Sequence, residues 1–282
     1  MNTGSSGAVT EALQFSGSLA LVGAGKMGEA LLRGWVARGL SGRQAVIFEP
    51  APSPDLLALT GKLSMRLNPA VGEIADTAVL LLAVKPQVMP DVLPQFAALA
   101  AGKALVLSIA AGKPVRFLEQ YFAGSPIVRA MPNTPAAIGQ GMSVLYANAR
   151  VTPAQRDLAT SLLGAVGEVA WVSDEGLMDP VTAVSGSGPA YVFLLIEALA
   201  KAGEKAGLAP ELAYLLARQT VRGAAALAAQ SDQPASVLRE NVTSPGGTTA
   251  AALEVLMRPG GLQRLMDEAI LAATERSREL AK

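Results

Sequence analysis

The sequence contains no cysteine and no histidine. Disulfides, thiolate nucleophiles, imidazole acid–base catalysis and the usual zinc ligands are therefore excluded, and no metal site is expected. Charge is scarce as well: Asp, Glu, Lys and Arg make up 16% of the 282 residues, where a soluble domain ordinarily has about 25%. The charge present is balanced, 23 basic against 23 acidic residues, with no block of one sign. A phosphate-backbone footprint is missing, which sets nucleic acid aside as a partner. No apolar run approaches the roughly 18 residues of a membrane span, so no membrane partner is expected. Residues 1–17 lack the basic and apolar regions of a signal peptide. They read as a mobile leader, and the cytoplasm is the expected location. Hydrophobic residues reach 51%. A chain so rich in them and so poor in charge must bury much of its surface, which implies association of subunits.

What the sequence does have is a glycine pattern in a specific context. Leu19-Ala-Leu-Val22 runs straight into Gly23-Ala24-Gly25-Lys26-Met27-Gly28, and a helical pattern follows at once. This is the dinucleotide fingerprint with a strand before it and a helix after it. Gly23 permits the tight turn, Gly25 lets backbone approach a pyrophosphate, and Gly28 lets the helix pack on the strand. The helix N-terminus offers unpaired N–H groups to the phosphates. A second strand, Gln44–Glu49, ends in an acid 21 residues after Gly28, near the spacing of about 20 for the acid on a ribose 2′-hydroxyl. Glu49 there would repel a 2′-phosphate and favour NADH over NADPH.

Further on, Asp76–Val84 is a continuous apolar run, as a parallel strand covered on both faces requires. Lys85-Pro86 ends it and a helix is expected over 87–100. Strands at 104–109, 126–131, 142–148 and 168–172 alternate with helices near 114–122 and 153–165. This is the spacing of a Rossmann-like, doubly wound parallel sheet. After residue 173 strand signals stop, and helices are expected near 189–200, 210–230, 247–257 and 260–281. The expected organisation is α/β: a leader over 1–17, a dinucleotide-binding domain over 18–172, and an all-helical domain over 173–282. The run Pro189–Ala200 is apolar on nearly every face, which implies a helix buried all round, against a partner subunit.

Two glycine-rich segments lie in the helical half, where glycine is otherwise costly: Ser185-Gly-Ser-Gly188-Pro189 and Thr243-Ser-Pro-Gly-Gly-Thr-Thr249. Either could be a plain turn. The second also sets bare N–H groups and two hydroxyls at a helix start, where a carboxylate can bind. Together with Gly23–Gly28, Ala83-Val-Lys-Pro-Gln87, Ser108-Ile-Ala-Ala-Gly112 and Arg129-Ala-Met-Pro-Asn-Thr-Pro135, these blocks resemble the Δ1-pyrroline-5-carboxylate reductases. They occur in that family's order across residues 19–280. The resemblance implies NAD(P)H-dependent reduction of Δ1-pyrroline-5-carboxylate to L-proline, the last step of proline synthesis. It implies nucleotide contacts at Gly23 to Gly28, Asn68, Ala83, Val84, Lys85, Pro86, Ala110 and Ala111. Substrate contacts are implied at Asp174, Asn241, Gly247, Thr248 and Thr249. It also implies a helical dimerisation domain, with homodimers often arranged in a ring. NADPH is the family's usual nucleotide. Where members often carry a Ser-x-Arg segment for the 2′-phosphate, this chain has Glu49-Pro-Ala-Pro-Ser53.

The implied chemistry suits the inventory. Ketone reduction leaves an alkoxide and usually needs a proton donor or a metal. A cyclic imine can arrive already protonated, so holding it in place is the main requirement. Thr249 is the candidate catalytic group, its hydroxyl hydrogen-bonding the ring nitrogen. A β-hydroxyacid dehydrogenase is the alternative enzyme, but its lysine is missing from Gly188–Leu195. A nucleotide sensor without turnover would not need a second anion site at Thr243–Thr249.

Overall fold

Leu19–Val22, Val79–Leu82 and Leu105–Leu107 are buried at every position, and each forms a strand covered on both faces. The computed structural model describes residues 13–101 and 104–281. In chain order the first elements are β1 (Ser18–Val22), α1 (Lys26–Ala37), β2 (Ala45–Phe48), α2 (Pro54–Lys62), β3 (Arg66–Leu67) and β4 (Thr77–Leu82). Next come α3 (Met89–Val92), β5 (Leu105–Ser108), α4 (Val115–Glu119), β6 (Ile127–Met131), β7 (Gly141–Ala147), α5 (Pro153–Gly164) and β8 (Gly167–Trp171). The eight strands form one sheet in the order β3-β2-β1-β4-β5-β6-β7-β8. Neighbours β1 and β4 lead away in opposite directions, so the sheet reverses its order there, at Val22↔Leu82. That reversal leaves a crevice at the strands' carboxyl ends.

Successive strand residues face opposite sides, and two cores result. Leu19, Leu21, Ile47, Leu81 and Leu107 join α1 and α5 on one side. Ala20, Val22, Phe48, Leu80, Leu82 and Phe96 lie on the other. Each large side chain buried this way contributes about 1.5–3 kcal/mol. Trp35, fully buried, donates its Nε1–H to Leu162 O at 2.9 Å and so ties α1 to α5.

Three features differ from the sequence reading. The helix expected over 87–100 is a series of short pieces, 3₁₀ at Pro86–Val88 and Leu93–Ala100 around α3. Pro90 and Pro94 lack the N–H groups that a continuous helix would need. The pairing of β6 with β7 is antiparallel, with Arg129 opposite Tyr146, while the rest of the sheet is parallel. Only residues 132–140 join them, too few for the crossover that a parallel pair demands. α2, capped by Ser53 Oγ accepting the Leu56 N–H, and the two-residue β3 are additional elements.

Of the leader expected over 1–17, residues 1–12 lie outside the described residues. Leu13 and Phe15 are tied down: the Leu13 N–H bonds to Arg38 O at 3.1 Å, and Gln44 Nε2 bonds to Phe15 O at 3.0 Å.

The chain forms two compact units, one reaching Gly186 and resuming at Glu275, the other Ser187–Thr274. The division falls after α6 (Met178–Val181) and a π-helical turn at Thr182–Gly186, beyond the 172/173 boundary expected from sequence. The second unit consists of α7 (Gly188–Lys205), α8 (Pro210–Ala229), α9 (Ala235–Asn241), α10 (Thr248–Met257) and most of α11 (Leu262–Leu280). α9 is a further helix that sequence reading did not anticipate. In the single chain only Ala200 of α7 is buried, while Val192, Phe193, Leu194 and Leu195 are exposed. The burial on all sides expected of this helix is therefore not supplied by its own chain. The helical run Glu175–Lys205 is long and apolar enough to cross a membrane by length and composition, which the count of uninterrupted apolar residues did not show.

Candidate nucleotide cleft and the second glycine-rich turn

At the crevice between β1 and β4 the three glycines have distinct geometry. Gly23 has φ +89°, and a Cβ there would lie 2.8 Å from the Ala83 backbone. A Cβ on Gly28 would lie 2.3 Å from Gly23 O. Nothing stands within 4 Å of the corresponding point on Gly25. α1 starts at this open position with Gly25 as its N-cap, and no side chain caps it. Uncapped N–H groups beside open space fit a phosphate.

The cleft here has a volume of about 910 Å³ and an apolar lining. It brings together Gly23, Gly25, Glu49, Asn68, Ala83, Val84 and Lys85 from the sequence reading. Ala24, Lys26, Met27 and Gly28 continue the same loop into the first turn of α1. Pro86 opens the 3₁₀ turn after Lys85. Ala110 and Ala111 form the turn after β5 and do not line this cleft.

Glu49 is held by both carboxylate oxygens. Oε2 accepts the Ala24 N–H at 2.8 Å, and Oε1 accepts the Ala51 N–H at 3.0 Å. Asn68, at φ +49°, completes the brace: its Oδ1 accepts the Glu49 N–H at 2.8 Å and its Nδ2 donates to Glu49 O at 2.9 Å. Asn68 tolerates this left-handed backbone better than most residues do. The acid is thus fixed against the fingerprint loop, with acceptor capacity left for hydroxyl donors. Among the described residues, Lys85 is the only basic one lining the cleft, and Glu49 the only acidic one. Arg33 is engaged by Glu29 at 2.5 Å, and Ser53 is used in capping α2. The set fits the adenosine end of a nicotinamide nucleotide: apolar walls, a hydroxyl acceptor and an open N–H cradle.

Sequence reading missed the walls. Phe48 and Phe96 pack edge-to-face at 4.8 Å, and Val71, Val88 and Val92 line the same space. Phe48 was within reach, since it directly precedes Glu49 on β2. Phe96 lies in the proline-broken stretch, where helical periodicity gave no guide.

Asp174 is exposed and is the N-cap of the turn Glu175–Leu177, its Oδ1 accepting the Gly176 N–H at 2.8 Å. The other expected substrate residues belong to the second unit. Asn241 ends α9 and donates to Gln233 Oε1 at 3.4 Å. Gly246 has φ +68°, and Gly247 is the N-cap of α10 with no side-chain cap. Thr248 and Thr249 form the first turn of α10, so its leading N–H groups and the two hydroxyls sit together.

Comparison with known proteins adds to this geometry. A family description for pyrroline-5-carboxylate reductase dimerisation matches residues 175–280. A second, NADP oxidoreductase coenzyme F420-dependent, matches residues 18–112. The pyrroline-5-carboxylate reductase of Pseudomonas aeruginosa is 43% identical over 94% of this chain and 97% of its own. That of Synechocystis is 43% identical over 94% and 98%. Among solved structures, the Coxiella burnetii pyrroline-5-carboxylate reductase superposes with TM-score 0.88 at 38% identity, covering 95% of this chain and all of its own. The Plasmodium falciparum pyrroline carboxylate reductase, solved with NADP bound, gives TM-score 0.78 at 30% identity over 95% and 99%.

Proposed function

The chain belongs to the pyrroline-5-carboxylate reductase family, and from that premise we propose how its residues serve the reaction. It is an oxidoreductase that reduces Δ1-pyrroline-5-carboxylate to L-proline, the last step of proline biosynthesis. Identity of 43% over 94% of the chain to an enzyme of that name carries the assignment. Neither a β-hydroxyacid dehydrogenase nor a silent sensor accounts for it. A bound reduced nicotinamide nucleotide supplies the hydride.

In this reading the chain's own contribution is binding and orientation. The open N–H groups after Gly25 hold the pyrophosphate, and Glu49 takes the adenosine ribose. Lys85 and the turn Ala110–Ala111 add nucleotide contacts. The Gly247–Thr249 turn receives the substrate carboxylate, with Asn241 and Asp174 as further substrate contacts. The Thr249 hydroxyl hydrogen-bonds the ring nitrogen. With no His or Cys in the chain, the proton on that nitrogen comes with the protonated imine, and the protein acts through proximity and electrostatics.

NADH is the favoured nucleotide on this reading. A 2′-phosphate beside the fixed Glu49 carboxylate places like charges within a few ångströms, costing about 1–4 kcal/mol. No Arg or Lys occurs between Glu49 and Gly61 to offset it. The dimerisation-domain match supports a homo-oligomer, and the ring of dimers common in the family is the assembly we expect. A cytoplasmic location goes with this reading. Steady-state kinetics with both reduced nucleotides and racemic pyrroline-5-carboxylate test it. Turnover with kcat/KM for NADH at least equal to that for NADPH is expected. Oxidation of neither nucleotide overturns the reaction, and a large preference for NADPH overturns the role of Glu49.

A further inference from the structure

We propose that Glu175 is a positioning residue: one of its carboxylate oxygens locks the β5–α4 turn, Ala110–Gly112, against β6. Oε1 accepts two hydrogen bonds, from the Val115 N–H at 2.8 Å and from Arg129 Nη1 at 3.0 Å. The Arg129 side chain is 6% exposed and that of Glu175 25%. Val115 opens α4, whose N-cap is Pro114 and carries no side-chain acceptor. Glu175, 60 residues further along the chain, supplies the missing cap. The turn is anchored at its other end too. The Ile109 N–H donates to Leu82 O at 3.0 Å, and the Ala110 N–H donates to Ser108 Oγ at 3.3 Å. Ser108 and Arg129 are paired across β5 and β6.

A buried ion pair is weak evidence for a stabilising role, because apolar residues of like volume often do as well. Apolar residues cannot accept the Val115 N–H. What the carboxylate adds here is geometry. It fixes one turn expected to meet the nucleotide and, through the backbone of residues 174–175, the turn that carries Asp174. The inference rests on the reading of Ala110 and Ala111 as nucleotide contacts.

The test compares Glu175→Ala with Glu175→Gln, using the fluorescence of bound reduced nucleotide for affinity and thermal melting for stability. Gln keeps an oxygen for Val115 and Arg129, whereas Ala removes it; both leave the Arg129 charge without its counter-charge. Both variants should therefore melt lower than wild type. Nucleotide affinity should fall about tenfold in Glu175→Ala and stay within about threefold in Glu175→Gln. If Glu175→Ala does not fold, the pair Arg129→Met with Glu175→Leu removes both charges, and its affinity should still fall about tenfold. A folded Glu175→Ala or double variant within about twofold of wild-type affinity overturns the proposal. A wild-type chain that binds nucleotide but does not reduce the imine sinks the reaction instead, and Glu175's role stands if its two variants still separate.

Discussion

Glu49 shows how much one side chain can decide once the backbone fixes it. Each of its two oxygens accepts one backbone N–H, from Ala24 and Ala51, and Asn68 holds both the N–H and the C=O of Glu49. A carboxylate held this firmly cannot swing away from the fingerprint loop at low cost. Replacing it with Glu49→Ser and adding Ala51→Arg should shift the kcat/KM ratio toward NADPH by about tenfold or more, about 1.4 kcal/mol. An unchanged ratio would mean that the acid does not face the ribose. Thr249 tests the other half of the chemistry. Thr249→Val keeps the shape and removes the hydroxyl, so kcat/KM should fall by roughly 10-fold to 1,000-fold. Nucleotide affinity should hold. Unchanged catalysis in the folded variant would leave only the backbone of that turn in play. At this scale the sequence offered candidates wherever a residue type has few uses: three spaced glycines, an acid at a strand end, two threonines after two glycines. Asn68 and Glu175 were opaque as structural parts, because a left-handed amide brace and a helix cap from 60 residues away leave no local pattern.

Elements were legible in proportion to their length and regularity. α1 and α5 carry a clear apolar face, and the buried strands hold continuous apolar runs such as Leu19–Val22 and Val79–Leu82. The stretch 86–100 mixes helical periodicity with Pro86, Pro90 and Pro94, and the prolines won. β7 could have been oriented from sequence by counting the residues after Met131. The two-residue β3 and seven-residue α9 are too short to show a period. One bond between elements is open to direct measurement. Trp35 Nε1 on α1 is the donor to Leu162 O on α5, and the indole is fully buried. Trp35→Phe removes the donor and leaves a buried carbonyl short of a partner, besides a small void. Unfolding in urea at fixed protein concentration should register a loss of about 1–3 kcal/mol. A loss under about 0.5 kcal/mol would mean that α5 is held by its apolar face alone.

For the molecule as a whole, the composition already pointed to association. With 16% charged residues, the chain leaves much apolar surface uncovered in its second unit, Ser187–Thr274. There α7 leaves Phe193 60% and Leu194 62% exposed, and α8 leaves Leu215 61% exposed. Apolar patches of this kind mark interaction surfaces on soluble proteins, and the dimerisation-domain match spans these helices. Burial against a second copy returns about 25 cal/mol for each Å² of apolar surface covered. In a two-fold interface every residue is used twice, so one substitution is felt in both copies. Phe193→Ala should therefore weaken the assembly by up to about 3–5 kcal/mol per buried ring. Because folding and association are linked here, the melting midpoint of the wild type should rise with protein concentration. At any one concentration Phe193→Ala should melt lower, and on dilution it should release monomer before the wild type does. Light scattering that finds a stable monomer at low micromolar concentration, with a midpoint indifferent to concentration, would show that these helices meet no partner copy.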